Sequence, residues 1–223
     1  MGKAAFGGLF SLGKKLRMLS FTSNEILAVV IAASFASGLN VYATVATLGL
    51  LSRVHAFQLP PALHILGSWP VILACALLFG LEFFADKVPV FDLIWNALST
   101  FVKVPVATLL SYAAAQHLSP GLQIAVAVSG GIIALAAHGS KLAIRTAVTP
   151  SPEPFSNIAL SLTEDVAAIS LTWFATRHPI IASIIVAICL VLAVLAIRYL
   201  VRAFRRLFRQ TRAFLQPKSG SLT

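Results

Sequence analysis

Residues 138–165, HGSKLAIRTAVTPSPEPFSNIALSLTED, set Lys141, Arg145, Glu164 and Asp165 between segments apolar enough to lie in lipid. A second charged stretch, EFFADKVPVFD, occupies 82–92. Together the two hold six of the seven acidic residues in the chain, Glu82, Asp86, Asp92, Glu153, Glu164 and Asp165; the seventh, Glu25, sits near the start of the first apolar run. A charge at the centre of a membrane helix costs about 2.5–3.5 kcal/mol on insertion scales. A chain that keeps several of them has to pair them, hydrate them or set them near an interface, and the favoured arrangement is a bundle of helices around a polar centre.

The composition outside these stretches agrees. Of 223 residues, 58% are hydrophobic and 11% charged, and the mean hydropathy is +0.91. Soluble domains carry about 25% charged residues, so this chain is expected to be an all-α integral membrane protein. The net charge of +10 is concentrated at the ends: Lys3, Lys14, Lys15 and Arg17 precede the first span, and Arg198, Arg202, Arg205, Arg206, Arg209, Arg212 and Lys218 lie at or after the last. The six remaining bases face seven acids, leaving the centre close to neutral. Basic tails beside spans are retained on the cytoplasmic side and attracted to anionic lipid headgroups, and no nucleic-acid-binding motif accompanies the charge. Cys75 and Cys189 are lone residues in apolar runs, a pattern that supports neither a disulfide framework nor a metal site. No cofactor is expected. The N-terminus has no small-residue cleavage site after a short apolar core, so it is expected to stay attached.

Read in order, residues 1–22 form a basic tail, either an interfacial amphipathic helix or a disordered segment. Residues 23–200 form a membrane domain of about six transmembrane helices, and 201–223 a basic cytoplasmic tail. The first span is expected from about Glu25 to Ser52 with Ser23 and Asn24 as caps, and the second from Trp69 to Ala85 with Glu82 and Asp86 stacked at i, i+4. The third runs from about Leu93 to Gln116 with Lys103 and Pro105 inside it, the fourth from Leu122 to about Val148, the fifth from about Phe155 to Thr176, and the last from Ile180 to Leu200. The arginines after it fall on one stripe and suggest a basic amphipathic continuation. An even number of spans puts both termini on one side, cytoplasmic by the charge rule, and the expected site is the cell inner membrane.

Shifting the chain by 101 residues aligns ASFASGLNVYATVA from Ala33 with ALAAHGSKLAIRTA from Ala134. Ser37, Asn40 and Thr44 then meet His138, Lys141 and Arg145, two stripes with i, i+3, i+7 spacing. Further along, Asp86 corresponds to Asp165, in FADKVP and TEDVAA. Each half, about 25–117 and 121–200, would hold three spans, giving a 3+3 inverted repeat with broken helices, the arrangement of many secondary transporters. The expected pairing sets Asp86 and Asp165 against Lys141 and Arg145, with Lys87, Asn40, His138 and Asn157 lining a cavity. Helix breaks are expected at Pro89, Pro105, Pro150 and Pro154, whose free N-termini would attract anions.

The segments GLNVYATVATLGLLSR, EFFADKVPVFDLIWNALSTFVKVPVATLL and HGSK through PEPFSNIALSLTEDV resemble a bacterial inner-membrane family catalogued as domain of unknown function four-one-two-six. The resemblance covers about residues 25–200, leaves the tails out and supplies no activity or substrate. It implies a membrane fold and gives weight to Asn40, Asp86, Lys87, Asp92, Lys141, Arg145, Asn157, Glu164 and Asp165; with His138 these are the candidate substrate-binding residues. No HExxH, GxSxG, P-loop or GxGxxG occurs. The favoured reading is a transporter or flippase-like protein for an anionic or zwitterionic small molecule or lipid. A membrane-embedded lipid-modifying enzyme and a non-transporting scaffold with a structural charge network are the alternatives. Membrane lipids are the expected partners, and assembly into a homo-oligomer is compatible with the sequence.

Overall fold

The computed structural model describes residues 22–86, 89–148 and 154–215; the side chains of 89–93, 146–148, 154–157, 200, 203, 204 and 206–215 are outside that description. The elements are α1 (Ser23–Arg53), a 3-10 helix (Pro61–Gly67), α2 (Trp69–Ala85), α3 (Pro89–Ala114), α4 (Pro120–Val148), α5 (Pro154–Arg177) and α6 (Pro179–Leu215), with no strand among the described residues. Five helices are each long and apolar enough to cross a membrane. The 17 residues of α2 rise only about 25 Å at 1.5 Å per residue, short of a hydrocarbon core of about 30 Å. Together with the 3-10 helix, bent from it by 64°, α2 forms either a broken sixth span or a re-entrant loop.

The centre of the bundle is α1, which packs against the five other helices and is buried along most of its length. Its start is fixed by Thr22 rather than by the expected caps Ser23 and Asn24. The Glu25 N–H donates to Thr22 Oγ1 at 3.3 Å, and Glu25 Oε2 accepts from the Thr22 N–H at 2.9 Å. This reciprocal capping box needs a Glu three residues after a Thr, and TSNE supplies it. At the other end, Ala56 N–H bonds back to Leu51 O across His55, whose φ of +54° makes the reversal. The Arg53 guanidinium lies over the Trp69 ring at 4.5 Å, tying this turn to the start of α2.

Small residues let α1 take the central place. Ala32, Ala36 and Ser37 are fully buried, and in lipid it is such residues that allow helix backbones to approach. At Gly38 an added Cβ would fall onto Ala134 O of α4 and lie 2.6 Å from Ala137 Cβ. Overpacking of this kind costs about 1–3 kcal/mol. Gly38→Ala is therefore expected to lower the unfolding temperature in detergent, and an unchanged unfolding temperature would contradict this close crossing.

Two of the four expected breaks, at Pro89 and Pro154, stand at helix boundaries, and Pro105 does not break its helix. Pro89 and Pro154 are the first residues of α3 and α5, a position where the missing N–H forfeits no helical bond. Pro105 sits inside an uninterrupted α3, and Pro150 lies outside the described residues. The interior break is in α1, at Asn40, where φ −147° and ψ 104° are extended rather than helical. The last helix, α6, runs 37 residues without interruption into the arginine stripe. That is about 55 Å, longer than the bilayer core is thick, and Arg202 and Arg205 are exposed. Of the two tails, 1–21 and 216–223 lie outside the described residues, so the expectation of an interfacial or disordered N-terminus falls there.

Candidate functional site: a buried charge cluster

The break at Asn40 is built from one side chain serving two helices. With Asn40 extended, the remainder of α1 begins afresh, and Asn40 acts as its N-cap: Oδ1 accepts the Ala43 N–H at 2.9 Å, the usual capping arrangement. Asn40 O accepts from Thr44 Oγ1 at 2.9 Å. The carbonyl just before the break, Leu39 O, accepts from Lys103 Nζ of α3 at 3.2 Å. The remaining donor, Asn40 Nδ2, reaches Asp165 Oδ1 of α5 at 2.9 Å. An asparagine therefore suits the position better than glycine or proline, because it caps one helix and bonds another.

Around this break the charged side chains form a continuous network. Lys103 Nζ is 2.7 Å from Glu82 Oε1. Lys141 Nζ lies 3.0 Å from Glu164 Oε2, 3.3 Å from Asp86 Oδ2 and 3.8 Å from Glu82 Oε1. Arg145 Nη2 bridges Asp86 Oδ2 at 2.7 Å and Glu164 Oε2 at 2.8 Å. Ser161 Oγ adds a bond to Asp86 Oδ2 at 3.2 Å. The geometry follows from helical spacing: Glu82 and Asp86 are four apart at the end of α2, and Lys141 and Arg145 four apart on α4, so each pair presents one face. Every member is buried, the most exposed being Glu164 at 8%.

Even so the network is not saturated. Glu82 Oε2, Asp86 Oδ1, Asp165 Oδ2 and Ser37 Oγ are buried without a hydrogen-bond partner. Among the described side chains, the carboxylates Glu82, Asp86, Glu164 and Asp165 outnumber the bases Lys103, Lys141 and Arg145 by one.

Of the residues singled out in the sequence, Asn40, Asp86, Lys141, Arg145, Glu164 and Asp165 come together. The expected pairing holds for Asp86, whereas Asp165 bonds Asn40, and it is Glu164 that shares Arg145 and Lys141. The reason is helical geometry: adjacent residues project about 100° apart, so Glu164 and Asp165 meet different hydrogen-bond partners. His138 stands beside the cluster. Its Nε2 lies 2.7 Å from Thr100 Oγ1 and 3.2 Å from Asn96 O, a hydrogen-bonded position between α4 and α3. The side chains of Lys87, Asp92 and Asn157 lie outside the described set. Sequence reasoning left Glu82, Lys103 and Ser161 out of the site. The signal available for the first two was the Glu82/Asp86 stack and a lysine in the middle of a span; Ser161 gave none.

Among the described side chains ion pairs fill the centre of the cluster, and Lys87 and Asn157, expected to line a polar cavity, lie outside them. A cavity of about 270 Å³ lies elsewhere, lined mainly by apolar side chains, among them Val30, Ala33, Leu48, Leu63 and Leu110. Bases stand between the carboxylates, and among the described residues no three His, Cys, Asp or Glu side chains are placed to hold a metal ion.

The bonds of the cluster cross between the first and second parts of the domain. Asp86, in the first half, bonds Lys141 and Arg145 of the second-half stripe, while Asp165, in the second half, bonds Asn40 of the first-half stripe. The aligned segments themselves pack together at Gly38 and Ala134.

No curated protein and no solved structure matches the chain. A family model described as Domain of unknown function (DUF4126) matches residues 27–199, which take in most of α1, all of α2 to α5, the first part of α6 and every charged residue of the cluster. The chain is a multi-pass helical membrane protein that belongs to this family.

Proposed function

We propose that the protein is a carrier or flippase-like transporter of the inner membrane, in which an anionic or zwitterionic small molecule or lipid headgroup crosses at the charged cluster. The observation that carries this reading is the unsaturated network itself. Seven ionisable side chains from both halves of the chain are sealed in a bundle interior with carboxylate oxygens left unpartnered. Buried ion pairs add little stability over apolar packing, and intramembrane charges mark substrate and ion pathways. In the closed arrangement, Glu164 occupies the Arg145 and Lys141 donors from the most accessible position in the cluster. An incoming phosphate or carboxylate would take its place, forming the charge-assisted pair that guanidinium favours. The exchange of partners between halves supports an inverted repeat, and the basic tails support cytoplasmic termini on a six-crossing protein.

A static scaffold is the second reading, favoured by the fact that each base already stands within 2.7–3.3 Å of a carboxylate. Reconstitution separates the two. In proteoliposomes the wild type is expected to accelerate dithionite quenching of inner-leaflet fluorescent phosphatidylglycerol, or uptake of radiolabelled phosphate, over empty vesicles. The first arm reports a lipid headgroup and the second a free anion. Arg145→Ala is expected to slow the active arm by roughly tenfold or more, the equivalent of one charged hydrogen bond, while eluting as folded protein. Arg145→Lys keeps the charge and is expected to fall between them. Movement of neither probe by the wild type, or full activity in Arg145→Ala, contradicts the transport reading; loss of both variants from the membrane supports the scaffold.

A further inference from the structure

We propose that Asp165 is a proton-binding site and that, if the transport reading above holds, its proton is the coupling ion. The argument begins with charge. Among the described side chains the cluster has one carboxylate more than it has bases. An uncompensated charge is expensive in a low-dielectric interior, and a proton on one of these carboxylates removes that cost.

Geometry says where. Glu82 has Lys103, Asp86 has Lys141 and Arg145, and Glu164 has Arg145 and Lys141. Asp165 is held through Oδ1 by the neutral amide of Asn40, and its Oδ2, in a side chain 95% removed from solvent, has no partner. A second buried group without a partner, the Ser37 hydroxyl, lies one turn before Asn40 on the same face of α1. Among the described residues, the charged groups about Asp165 are Glu82 and Asp86 from α2, Lys141 from α4 and Glu164 on its own helix.

A proton fits this site better than an alkali ion. The break offers Asp165 an N–H donor, while Asn40 Oδ1 already accepts from Ala43 and Asn40 O from Thr44, so the oxygens at the break do not form a cage. Binding forms one O–H bond at Oδ2 with a proton taken from water on one side of the membrane. Release breaks the same bond and returns the proton to water on the other, with no other change in the protein's covalent structure.

Infrared difference spectroscopy of the full chain in phosphatidylcholine/phosphatidylglycerol vesicles, stepped in pH, tests the site without any substrate. The wild type should show a carboxylic-acid C=O band that appears and disappears with pH. The band should shift on ¹³C-aspartate labelling, which touches only Asp86, Asp92 and Asp165, and stay put on ¹³C-glutamate labelling. Asp165→Asn should abolish it, and Asp165→Glu should move it. Absence of a titrating band, a band that follows the glutamate label, or one untouched by Asp165→Asn overturns the proton site. Carboxylate bands that respond instead to NaCl replacing choline chloride at fixed pH overturn it in favour of an alkali ion. Titration at Asp165 in a protein that moves neither probe keeps the proton site and removes its coupling role. Probe movement indifferent to an imposed pH gradient removes the coupling role alone.

Discussion

Lys103→Met should destabilise the folded protein by about 3–5 kcal/mol, and Lys103→Met combined with Glu82→Leu should recover most of that loss. Lys103 is fully buried and its ammonium is 2.7 Å from Glu82 Oε1. Removing the lysine alone leaves a carboxylate in the bundle interior whose remaining cation among the described side chains is Lys141 at 3.8 Å. Removing both charges replaces an ion pair with apolar surface of similar volume, a change that is often neutral or stabilising. Lys103 Nζ also donates to Leu39 O, and methionine offers no donor in its place, so the double variant retains the part of the loss that comes from that orphaned carbonyl. Denaturant unfolding in detergent, followed by tryptophan fluorescence, reads the cycle. A harmless single substitution would mean that Glu82 is hydrated or neutral, and the sealed network would then be the wrong description.

Asn40→Leu is expected to be nearly as damaging. It removes the N-cap of the second part of α1, a loss of about 1–2 kcal/mol. It also strips Asp165 of its donor, which adds about 1–3 kcal/mol or more for a buried charged acceptor. Asn40→Asp keeps a capping oxygen for the Ala43 N–H but sets a second carboxylate against Asp165, so it should destabilise through repulsion instead. Pairing it with Asp165→Asn restores one amide and one carboxylate across the same contact. The combined variant should therefore be more stable than either single substitution requires by addition, a coupling that a thermal-unfolding double-mutant cycle measures. Additive effects would place Asn40 and Asp165 out of contact.

Much of the fold can be read from the chain because lipid imposes a simple rule: apolar runs of about 20 residues become helices, and their ends fall where Pro, Gly and charge accumulate. This holds for α3 to α6, whose starts at Pro89, Pro120, Pro154 and Pro179 coincide with turn residues. The break at Asn40 could not be read the same way. ASGLNVYATV carries no proline, and the extended backbone there is selected by tertiary partners, Asp165 on α5 and Lys103 on α3, that lie 125 and 64 residues away from their contacts in α1. Conversely, Pro105 suggested a break that the packing of α3 against α4 and α1 overrides. For the site, spacing on single helices brought out Lys141 with Arg145 and Glu82 with Asp86. Which of two adjacent acids meets Arg145 depends on how α5 is rotated against α4, and that is set by packing across the whole helix. Lys103 went unassigned because a lone lysine in a span carries no periodic signal, although its partner is the residue that the Glu82/Asp86 stack makes conspicuous.

The most direct measurement is solid-state NMR dipolar recoupling between ¹⁵N-labelled arginine side chains and ¹³C-labelled carboxylates, on the full chain in lipid bilayers. Arg145 Nη2 lies within 2.8 Å of oxygens from both Asp86 and Glu164. The expected result is dephasing of two carboxyl carbons by one guanidinium, one lost in Asp86→Asn and the other in Glu164→Gln. A guanidinium that exchanges freely with water and dephases no carboxyl carbon would contradict the convergence of charges from both halves of the chain in one sealed centre.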